Sequence, residues 1–104
     1  MKRFDLYGSG SLSVHDIAQA LDECGLATFT ERESSYKGGV YFLHKVNSEK
    51  ISVQANGVDP EGFRAEPDFS DMSTLVYVSG SDRWTELEET FRAIGLELLR
   101  TEQV

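Results

Sequence analysis

Cysteine is almost absent from this chain: Cys24 stands alone among 104 residues. One thiol cannot close an internal disulfide or contribute to a Cys-rich zinc site. Histidine is nearly as scarce. Only His15 and His44 occur, in neither HxH nor HExxH spacing, so no metal site and no cofactor is expected. No apolar run approaches the roughly 18 residues of a membrane span. The opening MKRFDLYG lacks the apolar core of a secretory signal. The expectation is one cytoplasmic domain spanning 1–104, with no membrane partner. Basic residues are the remaining shortage, with 10 Lys and Arg against 18 Asp and Glu and a net charge of −8. Such a surface repels phosphate backbones, which speaks against nucleic acid. It also attracts basic proteins and speeds their association.

What is present organises itself around one internal likeness. YGSGSLSVHDIAQALDECGL at 7–26 and YVSGSDRWTELEETFRAIGL at 77–96 align at an offset of 70 residues. Tyr7, Ser9, Gly10, Ser11, Gly25 and Leu26 meet Tyr77, Ser79, Gly80, Ser81, Gly95 and Leu96. Each copy reads as strand, Ser-Gly-Ser turn, helix, glycine stop and strand. Val14, Ile17, Ala18, Leu21 and Cys24 form one apolar stripe at helical spacing, and Trp84, Leu87, Phe91 and Ile94 form the other. The spacing predicts helices over about 13–24 and 83–94. Ser13 with Asp16 has the form of a capping box, and Asp82 is placed to cap the second helix. Gly25 and Gly95 stand where helices end in a left-handed residue. Leu26 and Leu96 are expected to open strands.

Between the copies lies a β section. Thr28 to Glu33 is strand-like, and Val40 to Val46 is dense in β-branched and aromatic residues. Its two faces are both apolar, so it reads as a central, covered strand. NSEK at 47–50 is a hairpin turn. Ile51, Val53 and Ala55 alternate with Ser52 and Gln54, the pattern of a half-exposed strand. The order β-α-β-β-β-loop-β-α-β predicts an α+β fold: a ferredoxin-like two-layer sandwich of two βαβ halves, with both helices on one face of the sheet.

KGGVYFLHK, 37–45, resembles the longer signature of RNA-recognition motifs, where a basic residue and glycine open a strand of base-stacking aromatics. The three signature aromatic positions hold Gly39, Tyr41 and His44, and the likeness to the companion signature, VYVSGS at 76–81, follows instead of preceding it. The stretch therefore reads as loop plus strand. YGSGS and YVSGS occupy the place of phosphate-binding loops but match neither GxGxxG nor a P-loop. Their repetition marks a structural turn. His44 on an apolar strand face reads as a hydrogen-bonded core histidine, with Glu31 or Glu33 as the conceivable catalytic partner. Cys24 reads as a small core residue. No catalytic residue is assigned.

VDPEGFRAEPDFSDM, 58–72, carries Asp59, Glu61, Glu66, Asp68 and Asp71 against the single base Arg64, with Phe63 and Phe69 between them. Disordered loops are poor in aromatics. Loops of this length are usually functional or disordered, and the two phenylalanines imply docking on the chain's own domain or on a partner. With Tyr36 in the preceding loop, these residues are the candidate partner-binding set. In size, acidity and layout the chain resembles immunity proteins of bacterial toxin systems. That resemblance implies a non-enzymatic inhibitor that binds a cognate protein toxin, such as a basic nuclease, as a monomer or weak homodimer. The alternative is a small-molecule-binding or regulatory ferredoxin-like domain acting as a dimer.

Overall fold

The structure is a computed structural model, and it describes residues 2–37 and 39–104. The chain runs β1 (Arg3–Ser9), α1 (Val14–Glu23), β2 (Thr30–Ser34), β3 (Gly39–Val46), β4 (Glu49–Ala55), β5 (Thr74–Ser79), α2 (Trp84–Ala93) and β6 (Glu97–Gln103). This is the order of elements read from the sequence. The fold is α+β: two helices and one open six-stranded sheet in the order β2-β3-β4-β5-β1-β6, with every neighbouring pair antiparallel. No helix among the described residues is long and apolar enough to cross a membrane.

Both helices pack on one face of the sheet. Ile17 and Leu21 of α1 and Leu87 and Phe91 of α2 join Tyr7, Ile51, Val53, Val76 and Val78 in a single buried core. Tyr7 and Phe91 meet edge to face with ring centroids 4.7 Å apart, a geometry that suits the ring quadrupoles. The α1 capping box forms as its sequence predicts: Asp16 N–H donates to Ser13 Oγ at 3.1 Å, and Ser13 N–H donates to Asp16 Oδ2 at 3.2 Å. Gly25 and Gly95 close the helices at φ +77 and +98.

Several local expectations are corrected. Asp82 does not cap α2: Arg83 is the N-cap and makes no side-chain cap bond. Instead Ser81 Oγ accepts the Arg83 N–H at 3.1 Å, so the preceding Ser-Gly-Ser turn satisfies that donor. Cys24 is exposed, because it caps α1 beyond the last inward-facing turn. Leu26 is buried but opens no strand, since β2 begins only at Thr30. β3 is not fully covered. It lies next to the edge strand β2, whose exposed Glu31, Arg32 and Glu33 blunt that edge with charge. The covered central strand is β4, with Ile51, Ser52, Val53 and Gln54 all buried. Its alternation of apolar and polar residues does not mark a wet face, because other parts of the chain fold over that side.

Candidate functional site

The pairing register separates the two sides of the sheet. Val53 stands beside Val76 on the helix side, while Ser52 stands beside Tyr77, and Lys50 beside Ser79, on the opposite, open side. Two segments lie over that open side. One is the 3₁₀ turn Ser35–Lys37 between β2 and β3. The other is the 56–73 loop between β4 and β5.

That loop is built around Asn56, which is only 4% exposed. Its Nδ2 donates to the carbonyls of Glu66, Phe69 and Met72 at 3.2, 2.9 and 3.0 Å, and its Oδ1 accepts the Glu66 N–H at 2.9 Å. Arg64 Nη1 returns to the Asn56 carbonyl at 2.8 Å. One short amide thus supplies partners for backbone groups spread over the whole loop. Asp59 Oδ1 shapes the tip by accepting the Glu61 and Phe63 N–H groups at 2.9 and 3.0 Å. Glu66 fastens the loop to the sheet. Tyr77 donates to its Oε2 at 2.6 Å, and Arg100 Nη1 donates to its Oε1 at 3.0 Å. Burial and then this carboxylate raise the Tyr77 hydroxyl well above the ordinary tyrosine range, so it stays a donor.

The sequence-predicted partner residues therefore divide. Asp59 and Glu66 are engaged within the chain, and Phe69 is half-buried. Glu61, Asp68 and Asp71 are exposed, with no basic side chain within salt-bridge distance among the described residues. Phe63 is 69% exposed, close to Val58 at 52%, because the Val58–Arg64 bridge draws the two sides of the tip together. Tyr36 does not join this tip. It is 61% exposed and forms one wall of a cleft of about 480 Å³ on the open face.

The cleft is lined by Tyr36 and Lys37 from the turn, Lys50, Ser52 and Gln54 from β4, and Tyr77 from β5. Lys37 Nζ sits 5.2 Å from the centroid of the Tyr41 ring, a cation–π contact that holds the turn against the sheet. Ser52 Oγ is covered from water and has no hydrogen-bond partner among the described residues. Such a group costs about 1–3 kcal/mol until it is satisfied. Sequence reading missed both Ser52 and Asn56. Nothing local distinguishes a polar residue on a wet strand face from one on a covered face.

The remaining polar networks lie on the helix side. His44 Nδ1 lies 3.1 Å from the Thr28 carbonyl oxygen and Nε2 lies 3.1 Å from Glu49 Oε1. The reading of His44 as a hydrogen-bonded core residue holds, but its carboxylate is Glu49; Glu31 and Glu33 are exposed on the edge strand. Arg83 Nε and Ser81 Oγ donate to Glu49 Oε2 at 2.9 and 2.8 Å. Chiefly through Arg83, these bonds lower the Glu49 pKa to about 2. Arg3 makes a bidentate pair with buried Asp5, 3.0 Å on each arm, and stacks 4.5 Å from the Trp84 ring centroid. Burial and the Asp5 charge push Tyr7 up to about 12. No cluster of three metal-ligating side chains occurs among the described residues. Comparison with protein-family models, curated proteins and solved structures finds no match.

Proposed function

We propose that this chain is a non-enzymatic protein-binding inhibitor, and that it docks a basic protein through the tip of the 56–73 loop. The observation that carries the reading is a phenylalanine held out of a loop that is otherwise tied down. The Asp59 bonds fix the backbone at Phe63 and the Asn56 bonds fix the segment that follows, from Glu66 to Met72, so little backbone conformational entropy remains to be lost on binding. An exposed aromatic is the residue type that supplies an interface hot spot, and the exposed Glu61, Asp68 and Asp71 supply the steering charge. Asp59 and Glu66 act here as positioning residues. In its specific form the proposal is an immunity protein that neutralises a cognate toxin in the cytoplasm, as the likeness in size, acidity and layout implies. The finer fold assignment belongs with it: β1 between β5 and β6, with α2 joining the outer two, is the split βαβ unit of a ferredoxin-like sheet enlarged by two strands.

The test is co-expression with the product of the neighbouring gene, followed by co-purification. A one-to-one complex that survives purification with the wild-type chain, and is lost with Phe63→Ala combined with Glu61→Lys and Asp68→Lys, supports the proposal. A complex retained in full by that triple variant moves the interface off this loop. The absence of any complex removes the inhibitor reading.

A further inference from the structure

The open-face cleft is separate from the docking loop tip, and its chemistry runs against the charge of the whole molecule. In a chain of net charge −8, the charged residues lining the cleft are Lys37, Lys50 and Asp5. The Asp5 side chain is fully buried in its pair with Arg3, so the charge that faces the cleft is that of Lys37 and Lys50. Neither has a carboxylate within salt-bridge distance among the described residues. Lys50 also stands directly opposite Lys45 across the β3–β4 ladder, and like charges in that position repel. Tyr36, Tyr77 and Phe4 present aromatic surface to the same space. Ser52, 4% exposed, and Gln54, 5% exposed, bring polar side chains to its floor. The Ser52 hydroxyl is unpartnered among the described residues, and a buried polar atom without a partner marks a place where a ligand or water belongs. The volume, about 480 Å³, falls within the range of small-molecule sites.

We propose that this cleft binds a small organic anion that carries a flat ring. Lys37 and Lys50 hold the anionic group, whose negative charge offsets the Lys45–Lys50 repulsion. Tyr36 and Tyr77 flank the ring. Gln54 supplies a polar contact at the floor. Ser52 Oγ adds a second one after a side-chain adjustment, because it is covered. The anion is either a phosphate monoester or a carboxylate, which present the same oxygens to two ammonium groups. This inference does not depend on the protein-docking proposal, since Phe63 and the free acids of the loop take no part in it.

The experiment is an amide-resolved NMR titration of the full chain with phenyl phosphate, adenosine monophosphate, benzoate and inorganic phosphate in turn. Shifts centred on Lys37, Lys50, Ser52, Gln54 and Tyr77 are expected for a ring-bearing anion, with a Kd below about 1 mM. Preference for phenyl phosphate and adenosine monophosphate over benzoate assigns the phosphate form; the reverse assigns the carboxylate form. Inorganic phosphate should bind at least roughly tenfold more weakly, because it has no ring to stack. Lys50→Gln and Lys37→Gln should each weaken binding about tenfold, the loss of one charge-assisted hydrogen bond, while Phe63→Ala leaves it unchanged. Three results would overturn the proposal: no cleft-centred shift with any ring-bearing anion, binding indifferent to both lysine variants, or inorganic phosphate binding as tightly as the ring-bearing anions. A fifth probe is a single-stranded RNA dodecamer. Binding of that polymer at the same amides about a hundredfold more tightly than adenosine monophosphate would replace the small ligand with nucleic acid.

Discussion

Asn56→Ala is the perturbation that bears most directly on how the loop is held. The substitution deletes the two Nδ2 donors, shared among the carbonyls of Glu66, Phe69 and Met72, and the Oδ1 acceptor of the Glu66 N–H. Three hydrogen bonds at about 0.5–1.5 kcal/mol net each sum to roughly 1.5–4.5 kcal/mol. Water reaching the freed carbonyls of an outer loop recovers part of that, which places the expected loss at about 2 kcal/mol. The core packs elsewhere, around Ile17, Leu21, Leu87 and Phe91, and should remain folded. The assay is urea denaturation paired with amide hydrogen exchange. The denaturation midpoint should fall, and protection at Ala65, Glu66, Phe69 and Met72, whose N–H groups are bonded within the loop, should drop far more than protection in β4 or β5. Asn56→Asp preserves the shape but replaces the donor with an oxygen that faces three carbonyls, and should lose at least as much at neutral pH. A loss under about 0.5 kcal/mol for Asn56→Ala, with loop protection unchanged, would refute the reasoning that one amide organises this segment.

The rest of the fold offers further checks. Leu21→Ala and Phe91→Ala remove side chains with no exposed surface, and each should cost about 2–5 kcal/mol by denaturation. Cys24→Ser, on an exposed cap, should stay within about 0.5 kcal/mol. Gly80 has φ +67, and a Cβ there would overlap the Ser48 carbonyl oxygen, so Gly80→Ala should cost well over the roughly 1 kcal/mol expected of Gly25→Ala, where φ is +77 but the space is open. Glu49 has its folded pKa lowered from 4.5 to about 2. Its contribution is therefore fully present above pH 4.5 and lost as pH falls through about 2. The shift corresponds to roughly 3 kcal/mol at neutral pH. In Glu49→Gln, the fall in stability between these two pH values should be smaller by that amount, measured as ΔG of unfolding against pH.

Legibility in the sequence followed the range of the interactions. The helices were readable because α1 and α2 each declare an apolar stripe and a glycine stop, and because the offset likeness repeats both. The order of strands was readable from runs of β-branched and aromatic residues. The burial of β4 was not, because Ser52 and Gln54 are covered by segments distant in sequence and an alternating pattern cannot register that. Asn56 was silent for a related reason. Its partners lie 10, 13 and 16 residues away, and a lone asparagine beside a glycine looks like any turn. The acids of the loop were visible as a group, but their division into Asp59 and Glu66, bonded within the chain, and Glu61, Asp68 and Asp71, left free, depends on the Asn56 hub and on Tyr77 and Arg100. Cys24 was misplaced because α1 ends one residue before it, at Glu23, within the usual uncertainty of one or two residues at a helix end.

Association kinetics with the neighbouring-gene product, recorded across salt concentration, test the central proposal most directly. Rim acids set the on-rate and a buried aromatic anchor sets the off-rate. Glu61→Lys, Asp68→Lys and Asp71→Lys together should slow association and flatten its salt dependence. Phe63→Ala should leave association unchanged and speed dissociation by at least roughly tenfold, the scale of an interface residue worth more than about 1 kcal/mol. Equal on-rates at every salt concentration and an unchanged off-rate for Phe63→Ala would contradict docking through this loop.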